Sequence, residues 1–215
     1  MSRVFDCAQP DRRRRGLSAA ADAIAGSRQV VLPTDTVYGL GADAFSSDAV
    51  AGILAVKGRG RDMPVPVLVG SWNGIDGLMT WVPDPVRELV HAFWPGALTL
   101  VVEHAPTLAW DLGDARGTVA VRMPLHPVAL QLLERTGPLA VSSANRSGQP
   151  PAATIAEARE QLGDDVAVYL DAGPSSSALA STIVDVTGAR PRLLRTGAVT
   201  LAELRDVVPD IDPVP

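Results

Sequence analysis

The chain has 215 residues, 47% hydrophobic and 20% charged, with a formal net charge of −5. That is enough apolar material for one sizeable aliphatic core, and the acidic balance argues against a long phosphate-coating surface. A single cysteine, Cys7, excludes an internal disulfide and a cysteine-based zinc site, and no apolar run reaches bilayer-spanning length. The first residues lack the apolar segment of a secretory leader, so a soluble cytoplasmic protein is expected.

Residues 1–15 read as an N-terminal arm, with Arg12 to Arg15 as a solvated run or a first helical turn. Leu17, Ala20, Ala21 and Ile24 recur at helical spacing, which predicts a helix over 17–27. Residues 29–32 read as a short buried strand. Ser47 is placed to cap a helix carrying Val50, Ile53 and Leu54, which Gly58 ends. A strand is predicted over 65–69, at an edge or a bulge because of Pro66. Asp84 followed by Pro85 starts a helix to about Phe93.

Strands follow at 98–103 and 118–122, a helix over 126–136 closed by Gly137, and a strand at 138–141. Thr154 with Glu157, and Thr200 with Glu203, read as capping boxes. Strands near 166–170, 181–187 and 191–195 lie between them. Residues 111–117 and 173–180 read as loops, and 209–215 as a flexible tail. Strands and helices alternate, yet several strands follow one another closely. The expected class is α/β (α+β) with a mixed sheet, in one domain over 16–208.

Familiar catalytic signatures are missing. There is no GxxxxGK[ST] loop, no GxGxxG and no GxSxG, and the three histidines are far apart in sequence. No metal site built from protein side chains is expected. What stands out is a set of polar residues at strand ends: Thr34, Asp35 and Thr36; Lys57, Arg59 and Arg61 in KGRGR; Ser142, Ser143 and Asn145 in VSSANRSG; Ser181 and Thr182; and Arg195. Thr118 and Arg122 share one strand face by their even spacing. Ligands of open α/β sheets collect at strand ends, and cations with hydroxyl and amide donors suit a polyanion such as a nucleoside triphosphate. Arg122 lies between Val121 and Met123 and is expected to be buried. It then needs an anion, either a ligand or the carboxylate of a structural ion pair.

The chain resembles the YrdC-like family of threonylcarbamoyl-AMP synthases. The matching stretches are PTDTVYGLG, KGR with RDMPV, WPGALTLV, TVAVRMPLHP, SSANRSGQPP, STIVDV and LLRTGAVT, in the family's order. The resemblance implies a twisted mixed β-sheet with flanking helices and a concave, positively charged cavity, in the short single-domain form. It implies a nucleotidyltransferase that converts L-threonine, bicarbonate and ATP, with magnesium, to threonylcarbamoyl-adenylate and pyrophosphate. Transfer machinery then modifies the tRNA adenosine beside the anticodon.

By the same resemblance, Thr36, Arg122 and Ser181 would bind threonine. Lys57, Arg59, Thr118, Ser143, Asn145 and Arg195 would bind ATP, with Lys57 and Arg59 as the catalytic cations. Met63 and Leu68 stand where relatives often carry asparagine and histidine. A non-catalytic RNA-binding module of the same fold is the alternative, and weak RNA contact through Arg12 to Arg15 stays open.

Overall fold

Short apolar strands and amphipathic helices alternate along the computed structural model, which describes residues 1–175 and 179–214. The strands are β1 (Arg3–Asp6), β2 (Val30–Leu32), β3 (Gly39–Asp43), β4 (Val67–Leu68), β5 (Leu98–Glu103), β6 (Thr118–Arg122), β7 (Leu139–Ser143), β8 (Val168–Asp171), β9 (Thr182–Asp185) and β10 (Arg192–Arg195). The helices are α1 (Pro10–Ala25), α2 (Ser47–Lys57), α3 (Gly74–Leu78), α4 (Asp84–Phe93), α5 (Pro127–Thr136), α6 (Ile155–Leu162) and α7 (Leu201–Val207). All ten strands join one mixed sheet in the order β1-β8-β2-β3-β7-β4-β6-β5-β9-β10. The expected mixed α/β class is therefore observed.

The pleat sends alternate side chains to opposite faces, and each face has its own core. Val31, Leu40, Leu100, Val119 and Val121 face one side. There they pack with Ile53, Leu89, Ile155 and Leu204 from α2, α4, α6 and α7. Val30, Leu32, Leu68, Leu139, Val141 and Val168 face the other, under Leu17, Ala20 and Ile24 of α1 and Val128 and Leu132 of α5.

The second cover is partial. Among the described residues the α1/α5 cluster takes no side chain from β5, β6 or β9. Leu68 pairs with Arg122, Val101 with Ala120, and Thr99 with Ile183. By alternation, the face that α1 and α5 cover continues past β4 as a row carrying Arg122, Ala120, Thr118, Val101, Thr99 and Ile183. No helix of that cluster closes over this row.

Several local signals act as read. Gly58 ends α2 in the left-handed region at φ 65°, and Thr200 with Glu203 forms a reciprocal capping box. Others shift. Ser46 rather than Ser47 caps α2, accepting from Ala49 N. Thr154 accepts from Glu157 N, but the Glu157 carboxylate turns to Ala153 N, so that box is only half made.

The structure also corrects three expectations. Residues 1–15 are not an arm: β1 pairs in parallel with β8, and the arginine run forms early turns of α1, which starts at Pro10. The tail expected at 209–215 is anchored at 211–212, because Ile211 is buried, its carbonyl accepts from Arg205, and Asp212 bridges Arg192. β4 is central rather than an edge. Pro66 is tolerated just before it because its carbonyl, not a missing N–H, meets the neighbour, accepting from Val141 N at 2.8 Å. Of the loop at 173–180, residues 176–178 lie outside the described residues, as does 215 of the tail.

Candidate active site

Arg122 ends β6 with its guanidinium buried under the β2–β3 connection. Its Nη1 donates to Thr36 Oγ1 at 2.9 Å, its Nη2 to Asp35 Oδ1 at 2.5 Å, and its Nε to the Gly96 carbonyl at 2.8 Å. The Asp35 carboxylate also accepts from Leu125 N at 2.9 Å. The Arg122 and Asp35 side chains are only 8% and 15% exposed, so the pair is little screened by water. The ion pair considered from sequence thus exists, and its carboxylate is Asp35. Burial pulls the Arg122 pKa down, Asp35 opposes that, and a second cation, Arg195, adds to the fall.

Arg195 is held beside Ser181. Its Nη2 donates to the Ser181 carbonyl at 2.7 Å and Oγ at 3.0 Å, and Nε to the same carbonyl at 3.0 Å. Ser181 Oγ lies 2.8 Å from Thr99 Oγ1. Two guanidinium groups therefore share this end of the sheet with three hydroxyls, those of Thr36, Thr99 and Ser181. Thr34 serves the local chain instead: its Oγ1 donates to the Val37 carbonyl at 2.6 Å and accepts from Thr36 N at 3.2 Å, fixing the turn that presents Thr36. Ser175 reaches back to the Thr36 carbonyl.

The second unit joins the end of α2 to the segment after β7. Lys57 is buried, and its Nζ donates to the Ser143 carbonyl at 2.5 Å, the Asn145 carbonyl at 2.7 Å and Asn145 Oδ1 at 3.1 Å. Asn145 Nδ2 in turn donates to the Arg146 and Gln149 carbonyls, which fixes the amide. Burial, reinforced by Arg59, lowers the Lys57 pKa to about 8. Arg59 Nε donates to Ser147 Oγ at 2.8 Å, and Ser147 N donates to the Lys57 carbonyl. KGR and SSANRS therefore form one cationic loop pair, although 86 residues separate Lys57 from Ser143.

Thr118 stands at the far end of the row, where Oγ1 donates to the Ala115 carbonyl at 2.7 Å. It lines a cavity of about 90 Å³ with Pro64, Val65, Val101, Leu112 and Ala120. A larger cavity, about 700 Å³, lies elsewhere, between α5 and the residues after β4. Sequence reasoning placed Arg195 with the ATP residues, whereas its contacts are with Ser181. It left out Thr99, Gly96 and Ser147, and it did not pair Asp35 with Arg122. Met63 is exposed, and Leu68 packs in the apolar cluster under α1 and α5. Among the described residues no three His, Cys, Asp or Glu side chains gather as metal ligands, and no helix is long and apolar enough to cross a membrane.

The profile of the family described as "Telomere recombination" (Sua5, YciO, YrdC) matches residues 22–197. A Mycobacterium leprae protein that bears the provisional name threonylcarbamoyl-AMP synthase is 63% identical over 208 residues, 97% of this chain and 94% of that protein. The threonylcarbamoyl-AMP synthase of Bacillus subtilis is 36% identical over 194 residues, 89% of this chain and 56% of its own. Among solved structures, Pyrococcus abyssi Sua5 complexed with L-threonine superposes with a TM-score of 0.92 at 33% identity, covering all of this chain and 63% of that one. The chain thus spans little more than half the length of some relatives and nearly all of others. With a profile match over most of its length and this fold, the chain belongs to the Sua5/YciO/YrdC family.

Proposed function

We propose that the chain is an L-threonylcarbamoyladenylate synthase, a nucleotidyltransferase that makes threonylcarbamoyl-AMP and pyrophosphate from L-threonine, bicarbonate and ATP. The observations that carry this reading are two cationic units at element ends: Arg122 at the end of β6 with Thr36, and Lys57 at the end of α2 with Ser143 and Asn145. An amino acid and a nucleoside triphosphate both carry anionic groups, and each unit offers one of them charge-assisted donors.

Threonine sits at the first unit. Arg122 takes its carboxylate, with Thr36 and Ser181 bonding its remaining polar groups, and Arg195 adds positive charge beside Ser181. ATP lies along the second unit, its phosphates on Lys57 and Arg59 and its remaining polar atoms near Ser143, Asn145 and Thr118. Magnesium enters as part of the nucleotide substrate. Lys57, Arg59, Arg122 and Arg195 are cations and Asp35 pairs with only one of them, which supports a positively charged site.

The threonine nitrogen attacks the bicarbonate carbon, and water leaves to give a carbamate. A carbamate oxygen attacks the α-phosphorus, the bond to the β-phosphate oxygen breaks, and pyrophosphate departs. The chain needs no covalent nucleophile for this. Its residues position the two reactants and stabilise charge, and Lys57 and Arg59 neutralise the charge that builds on the leaving phosphates. The labile adenylate then passes to transfer machinery acting on tRNA, which places the enzyme in the cytoplasm. The test is pyrophosphate release from ATP and bicarbonate with each amino acid in turn. Stimulation by L-threonine well above serine is expected, and equal rates with and without threonine would sink the assignment.

A further inference from the structure

The third cation of KGRGR, Arg61, contacts none of the residues above. Its guanidinium forks onto Asp111, with Nη1 to Oδ2 at 3.0 Å and Nη2 to Oδ1 at 2.7 Å, while Nε reaches Asp114 Oδ1 at 3.2 Å. The backbone repeats the connection. Asp114 N donates to the Arg61 carbonyl at 2.7 Å, and Val65 N to the Leu112 carbonyl at 2.9 Å. Gly113, at φ 105°, lies so close that a Cβ there would stand 2.8 Å from the Arg61 carbonyl and 3.2 Å from Pro64 Cα. The Asp111 carboxylate is itself fixed by Gly113 N, and Arg61 holds its pKa well below the usual range.

We infer that Arg61 is a positioning residue. It clamps the loop after Lys57 and Arg59 to the 111–114 loop, and so sets where Arg59 stands beside Ser147. The connection is short on both sides. Arg59 is two residues before Arg61, and the 111–114 loop leads through Ala115 directly into Thr118 and β6, which ends in Arg122. The clamp therefore ties the cationic loop to the strand that carries the other cationic unit. A lone exposed ion pair is worth little. Here one planar fork meets two carboxylates and is backed by main-chain bonds, so its geometry is well defined. The clamp lies outside the reacting groups, so it acts on the position of Arg59 and not on chemistry.

This inference rests on the proposed placement of ATP phosphates at Lys57 and Arg59, and the test separates the two. Apparent KM for ATP and for threonine, kcat and Tm are measured for Arg61→Ala, Asp111→Ala, the double variant and Arg59→Ala. The expected result is a KM for ATP raised about fivefold in each single clamp variant, with kcat, KM for threonine and Tm little changed. The double variant is expected to be no worse than either single one, since both remove the same fork. Raising the salt concentration should weaken the native enzyme's ATP use toward that of Arg61→Ala. Arg61→Lys keeps the charge but loses the fork, and should fall between native and Ala; it also serves if Arg61→Ala folds poorly. An effect of Arg61→Ala without one from Asp111→Ala would make Arg61 a direct nucleotide contact and overturn the clamp. So would a loss of Tm alone. If Arg59→Ala also leaves KM for ATP unchanged, the ATP placement fails first.

Discussion

Replacing Arg122 separates the two roles its geometry allows. Arg122→Ala removes the ion pair at 2.5 Å and the donors to Thr36 and Gly96, and leaves the Asp35 carboxylate in a site where it was 15% exposed. Breaking a buried pair on one side costs about 3 kcal/mol of stability. For a chain of this size that lowers Tm by about 6–12 °C. Loss of a buried carboxylate partner should also weaken threonine binding by roughly 2–5 kcal/mol, about 30- to 5,000-fold in Kd.

Adding Asp35→Ala distinguishes these effects. The double variant also removes the carboxylate whose charge Arg122 had balanced, so part of the lost Tm should return. Threonine binding should not return, because Asp35 offers nothing to the substrate carboxylate. Calorimetric titration with L-threonine and thermal unfolding on the four proteins of the cycle measure both quantities. Recovery of threonine affinity in the double variant would refute the reasoning and leave Arg122 as a purely structural ion pair.

Three further outcomes follow from the contacts of Lys57, Thr34 and Thr36. Lys57 has a folded pKa of about 8, below its unfolded value of 10.5. Between those values the unfolded chain holds more protons, so stability should rise with pH through that window. Bound phosphate favours the charged amine, so KM for ATP should climb above pH 8, approaching about tenfold per unit. A flat KM for ATP from pH 7 to 9.5 would remove Lys57 from the phosphate site. Thr34→Ala should cost about 1 kcal/mol of stability by losing its turn bonds while keeping near-native threonine use, whereas Thr36→Ala should raise KM for threonine; the reverse order in steady-state kinetics would exchange their roles.

The legible parts of this fold were those with a local cause. α2 stops at Gly58 because glycine takes φ 65° freely, and α7 starts at Thr200 because its capping box is closed within four residues. β3 was not legible. Its sequence, GLGAD, has too few side chains to show alternation, and it becomes a strand by pairing with β2 and β7. There Gly39 and Gly41 leave room for Val141 and Leu32. β1 was hidden for a similar reason, since RVFD pairs with β8, which lies far along the chain.

The site divides the same way. Motif positions such as Lys57, Asn145 and Arg122 could be picked out, because each is a polar group at a strand or helix end. Their partners could not be. Asp35 meets Arg122 across 87 residues, and the fork of Arg61 onto Asp111 spans 50. Nothing in local spacing encodes such pairs; the sheet order creates them. Arg195 illustrates the cost of working without that order, since its position at the end of β10 gives no hint that the Ser181 carbonyl is waiting for it.

If these two cationic units join threonine, bicarbonate and ATP in one product, the bicarbonate carbon must end up in it. The most direct test follows labelled bicarbonate carbon with the purified chain. Label is expected to enter an adenylate only when L-threonine and ATP are both present, and Arg122→Ala and Lys57→Met are each expected to abolish most of it. Label that stays in bicarbonate under all conditions, or enters an adenylate without threonine, would contradict it.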